Sequence, residues 1–63
     1  PLSERELEIL ALLAEGMTNR EIATKLFLAV GTIKWYLHNL YETLDVGNRT
    51  EAVAQARELG LIS

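Results

Sequence analysis

An all-α fold, built as a compact domain of four helices, follows from three features of this 63-residue chain. A capping side chain precedes a glutamate by three positions at Ser3/Glu6, Thr18/Glu21 and Asn48/Glu51, the reciprocal pattern that opens helices. Apolar residues between these signals recur every three to four positions. No stretch alternates apolar and polar residues as a half-buried strand does, and no internal repeat or low-complexity linker divides the chain.

The elements follow in order. Ser3 and Glu6 start a first helix near 4 to 15, with Leu7, Ile9, Leu10, Leu13 and Ala14 supplying core and Leu12 left toward solvent. Thr18 and Glu21 start a second near 19 to 26, where Ile22, Ala23 and Leu26 point inward and Arg20 and Lys25 outward. A third spans 30 to 44, its core side made by Ile33, Leu37, Leu40, Tyr41 and Leu44. Its opposite side carries Gly31, Lys34, Trp35, His38 and Glu42. Asn48 and Glu51 start a fourth near 49 to 58, with Ala52, Ala56 and Leu59 inward and Thr50, Ala54 and Arg57 outward. Gly16, Gly47 and Gly60 fall where helices stop and a positive φ is readily accommodated.

Composition narrows the function classes. Hydrophobic residues make up 49% and charged residues 24%, which is globular rather than disordered composition. No cysteine is present, so disulfides, cysteine-bound zinc and a thiol nucleophile are excluded. No apolar run approaches the roughly 20 residues of a membrane span, and no secretory signal precedes the first helix, so a soluble, cytoplasmic domain is expected. The chain opens on Pro1 and enters a helix start at once, as a module of a longer protein would. The net charge of −3 runs against the basic footprint of a nucleic-acid binder. The excess is local, however: residues 1 to 15 hold four glutamates against Arg5, while residues 16 to 63 hold five acids and five bases. An anion-binding face therefore lies away from the first helix.

Only three residues, Phe27 to Ala29, separate the second helix from the third, which forces a sharp angle between them. That is the spacing of a helix-turn-helix, with Ile22, Leu26, Leu28, Ile33 and Tyr36 where the pair needs apolar contacts and small Ala23 where it comes close.

The whole string sharpens this. Leu2 to Glu6 (LSERE), Gly16 to Ala23 (GMTNREIA), Thr32 to Lys34 (TIK) and Arg49 to Ala52 (RTEA) occur in the order and spacing of the LuxR-type helix-turn-helix family. The chain resembles that family over nearly its full length. Its members are four-helix DNA-binding output domains of quorum-sensing regulators, response regulators and large activators related to MalT. The resemblance implies sequence-specific binding of double-stranded DNA by the C-terminal module of a bacterial transcription regulator. The third helix would lie in the major groove, with Lys34, Trp35 and His38 at base edges. Thr32, Arg20 and Lys25 would meet the phosphate backbone. The fourth helix would pair two copies on DNA through Thr50, Ala54 and Arg57, the residues themselves showing only a small-residue face. Where the family commonly has serine this chain has Ala29, and Thr43 and Gly47 replace common basic residues. Asp45 replaces a common glycine. These departures predict weaker non-specific DNA affinity, since each phosphate left without a cationic partner withholds roughly one unit of counterion release.

Plainer roles compete for several residues. Lys34, Arg20, Lys25 and His38 are of types that usually sit solvated on a helix surface. Arg49, beside the Asn48 cap, suits a structural hydrogen bond, and Tyr36 and Tyr41 suit the core boundary. Glu6, Glu21 and Glu51 are cap partners rather than catalytic acids. His38 has no second metal ligand at a workable spacing. No nucleophile with its base and no glycine-rich phosphate loop is present, so neither an enzyme, a cofactor, a metal nor a small-molecule ligand is expected. The alternative from another class is a helical protein-interaction module using Leu12, Trp35 and the small face of the fourth helix. The acidic balance favours that alternative, whereas a cation beside an exposed tryptophan favours DNA.

Overall fold

The computed structural model describes residues 2–63; Pro1 lies outside the described residues. Four helices follow in the order α1 (Glu4–Ala14), α2 (Asn19–Leu26), α3 (Val30–Leu44) and α4 (Arg49–Glu58), with no strand among the described residues. The body measures 28 × 20 × 19 Å. No helix among the described residues is long and apolar enough to cross a membrane.

The helix starts follow the sequence pattern closely. Ser3 Oγ accepts from the Glu6 amide at 3.2 Å, and the Glu6 carboxylate accepts from the Ser3 amide at 2.9 Å. Thr18 and Glu21 repeat this at 3.1 and 2.8 Å. The third box is only half formed. Asn48 Oδ1 accepts from the Glu51 amide at 2.9 Å, but Glu51 accepts from Gly47 N–H at 2.8 Å rather than from Asn48. Asn48 is almost fully extended, with φ −160°, where the other two caps have φ of −74° and −73°, so the carboxylate meets the preceding amide instead.

All four helices end alike. In each, an amide two or three residues past the last helical residue reaches back to a carbonyl five residues earlier: Met17 to Leu12, Leu28 to Ala23, Val46 to Tyr41 and Leu61 to Ala56. The residue before each of these amides sits in the left-handed region that this closure requires. Gly16 and Gly60 fill it as expected. Gly47 does not; Asp45 takes the position after α3, and Phe27 takes it after α2, with φ of 56° and 58°.

α1 and α3 each pack against every other helix, while α2 and α4 stay apart on either side. Ile9, Leu10, Ile22, Ile33 and Leu40 are fully buried at the centre. Two core assignments are corrected. Leu12, expected toward solvent, is only 6% exposed. Packing among the other three helices widens the buried arc of α1 to about 160°, from Leu12 through Ile9 and Leu13 to Leu10, at about 100° per residue. Leu7 and Ala14 are half-buried at its margins. Leu59, expected inward, is 56% exposed. α4 stops at Glu58, and the turn at Gly60 brings Ile62 back to pack on the core instead.

Candidate nucleic-acid interface

The site is a face of α3 steadied by α2. Ile33, Leu37, Leu40 and Leu44 bury one side of α3, which commits the other to solvent. On that outer side Gly31, Lys34, Trp35, His38 and Glu42 fall within an arc of about 100°. All five are exposed, Trp35 by 60%. The indole is not isolated: its ring meets that of Tyr36 edge to face, with centroids 5.1 Å apart. Tyr36 is half-buried at the edge of the core, so it anchors one side of the tryptophan and leaves the rest open.

Lys34 and His38, one turn apart, share a shallow concavity with Asn19, Leu37 and Tyr41. Sequence reasoning did not single out Asn19. It is the first residue of α2, and its Oδ1 is buried without a hydrogen-bond partner. Such an acceptor is costly unless a donor reaches it, and Lys34 and His38 both carry donors on the same wall. No local pattern marks Asn19 for this role, because the juxtaposition arises only from the packing of α2 on α3. His38 Nε2 lies 3.5 Å from Glu42 Oε1, both side chains being largely exposed. That pair contributes little to stability but lets an acid compete with any other acceptor for the histidine donor.

The proposed backbone contacts are less unified. Arg20 and Lys25 are both exposed on α2. Five residues apart on a helix, they diverge by about 140° and do not face one surface together. Thr32 is half-buried in the first turn of α3, on the flank of the exposed arc. The start of α3 has no side-chain cap at Ala29, as the sequence indicated, and the Thr32 and Ile33 amides both turn to the Ala29 carbonyl at 3.0 and 3.2 Å. The positive end of the helix dipole is therefore free of any capping oxygen from a side chain.

Phe27, in the turn just before this helix, is 94% exposed. Thr50, Ala54 and Arg57 lie on the outer side of α4, as read from the sequence, and line one hollow with Leu13, Arg49 and Val53. Ala54 and Arg57 are exposed there. Arg57 Nε donates to the Ser63 carbonyl at 3.2 Å. Arg49 is structural: its guanidinium donates to the Met17 carbonyl. Burial raises the Tyr41 hydroxyl above its ordinary value of 10.0, an effect the nearby Arg49 charge partly offsets.

The family described as bacterial regulatory proteins, luxR family, matches residues 1–56. The transcriptional regulatory protein LiaR of Bacillus subtilis (strain 168) is 45% identical over 62 residues, covering 98% of this chain and 29% of LiaR. The HTH-type transcriptional regulator MalT of Serratia proteamaculans (strain 568) is 46% identical over 59 residues, covering 94% of this chain and 6% of MalT. Among solved structures, the response regulator ChrA of a heme-sensing two-component system superposes with a TM-score of 0.97 at 47% identity, over 98% of this chain and 31% of ChrA. The transcription factor GerE superposes with a TM-score of 0.92 at 29% identity, over 98% of this chain and 92% of GerE. The chain thus spans less than a third of LiaR and ChrA and a small fraction of MalT. With its four helices, its tight α2–α3 turn and its match over residues 1–56, the chain belongs to the luxR family of bacterial regulatory proteins, as a helix-turn-helix DNA-binding domain.

Proposed function

We propose that this domain is the C-terminal output module of a longer, cytoplasmic transcription regulator, and that α3 reads its operator from the major groove. The observation that carries the reading is the clustering of Lys34, Trp35 and His38 on the one side of α3 that the core leaves free. Lys34 donates to guanine O6 or N7, Trp35 lays an apolar plane against thymine methyl groups or sugars, and His38 addresses a base one turn deeper. Thr32 and the uncapped amides of α3, with Arg20 and Lys25 on α2, supply the contacts to phosphates that set register. The outer face of α4, through Thr50, Ala54 and Arg57, pairs two copies so that two weak half-site affinities combine.

Titration of the labelled domain with a pool of short duplexes, followed by NMR at low and moderate salt, tests this. Shifts centred on Thr32, Lys34, Trp35 and His38 that weaken steeply with salt are expected. Silence on that face at low salt, with the domain folded, would remove the groove assignment and favour a protein partner for the same surface.

A further inference from the structure

Gly31 is a glycine within a helix whose bareness the fold does not require. Gly16 and Gly60 occupy left-handed backbone, and Gly47 lies in the turn ahead of α4, where a side chain would make only an ordinary contact, at 3.5 Å, with the Glu51 carboxylate. Gly31 lies inside the first turn of α3, does not have a positive φ, and a Cβ built on it would meet nothing within 4 Å. Glycine is the poorest helix former after proline, so at an exposed, unobstructed helical position alanine would be the more stable choice.

The position of this gap gives it a use. Gly31 is three residues before Lys34 and four before Trp35, so it shares their face one turn nearer the start of the helix. Side chains on a helix lean toward its N-terminus, so Lys34 and Trp35 serve the same stretch of surface as the first turn. The space at the Cβ position is open, and no side chain, the indole included, comes within 4 Å of it. Bare backbone on this face leaves a space about one methyl group deep between α3 and an approaching groove edge. Major-groove base edges offer one apolar group to fill it, the C5-methyl of thymine.

We infer that Gly31 is a specificity-determining residue, whose missing side chain leaves room for a thymine methyl against the bare backbone of the first turn of α3. The inference rests on the groove-reading assignment of α3. It predicts an exchange of methyl groups: one added to the protein at residue 31 is accommodated when one is removed from the DNA.

The test uses a duplex selected by the wild-type domain from a randomised double-stranded pool, then rebuilt with deoxyuridine replacing each thymine in turn. One thymine is expected to matter to the wild type, its replacement weakening binding several-fold. Gly31→Ala should bind the all-thymine duplex at least tenfold more weakly, and should regain most of that affinity with deoxyuridine at the same position. Its Tm should rise by a few degrees, which separates impaired recognition from impaired folding. Equal affinity of Gly31→Ala and wild type for the all-thymine duplex would overturn the inference and leave groove reading intact. So would a weakening that no deoxyuridine repairs, or a fall in Tm. Failure of the wild type to select any duplex at low salt would overturn both.

Discussion

The guanidinium of Arg49, at the first position of α4, donates to the main-chain carbonyl of Met17, thirty-two residues earlier, at the entry to α2. This part-buried bond joins two segments whose helices do not touch, and so fixes the end of α2 that brings Asn19 toward Lys34. A charged donor to a carbonyl is worth about 1.5–3 kcal/mol, and removing it leaves the acceptor underused. Arg49→Ala is expected to destabilise the domain by about that amount in thermal or urea unfolding. Arg49→Lys should restore only part, because a lysine ammonium lacks the planar, pre-organised fork. Full stability in the alanine variant would show that other contacts hold the α2 entry.

Leu12 and Leu59 provide a paired test of the core. Leu12→Ala removes a side chain buried against the other helices and should cost about 2–5 kcal/mol, a large share of what a domain this small possesses. Leu59→Ala, at an exposed position, should change stability by less than about 1 kcal/mol. Urea midpoints of the two variants measured side by side check the contrast.

Two helix ends carry side chains in backbone that glycine prefers. Phe27 and Asp45 have left-handed φ, which costs an ordinary residue about 1–2 kcal/mol. Phe27→Gly sacrifices almost no packing, since the ring is exposed, and is expected to stabilise by about 1 kcal/mol. Asp45→Gly should gain similarly, with a further ~0.3–1 kcal/mol from removing a negative charge at the negative end of α3. Differential scanning calorimetry should register a rise of about 4–8 °C per kcal/mol gained. A lower Tm in either variant would mean that the side chain has a stabilising partner.

Tyr41 links stability to alkaline pH. Its hydroxyl is raised above 10.0 by burial, so the folded chain holds this proton more tightly than the unfolded one. The contribution is complete below about pH 10 and is lost as pH rises through the folded-state value. Unfolding free energy measured from pH 8 to 11 should fall less steeply in Tyr41→Phe than in wild type; identical slopes would contradict the assignment.

Groove reading and pairing should separate by mutation. Lys34→Ala is expected to cost about 1–3 kcal/mol on a selected site and to relax base preference at one position. Ala54→Glu places repelling charges on the outer face of α4, and should abolish binding to a paired site while leaving an isolated half-site unaffected. Electrophoretic titration on both duplexes distinguishes the two, and equal weakening on both would refute the division of labour.

What this sequence determined by itself is largely local. Ser3, Thr18 and Asn48 announce three helix starts because an N-cap bond closes within three residues, and the three-residue span from Phe27 to Ala29 forces the angle between α2 and α3. The exposed arc of α3, with Lys34, Trp35 and His38, was legible for the same reason, since one helix with one buried side has its other side defined by periodicity. Tertiary structure decided the rest. Leu12 is buried because α1 packs against all three of the other helices, and a pattern read along one helix cannot count its neighbours. Phe27 and Asp45 accept left-handed backbone because closing α2 and α3 at those points lets the next elements pack, which outweighs a local preference of about 1–2 kcal/mol. Asn19 comes to line one concavity with Lys34 and His38, and Arg49 bonds to Met17, through packing across many intervening residues, so neither juxtaposition leaves a periodic trace in the chain.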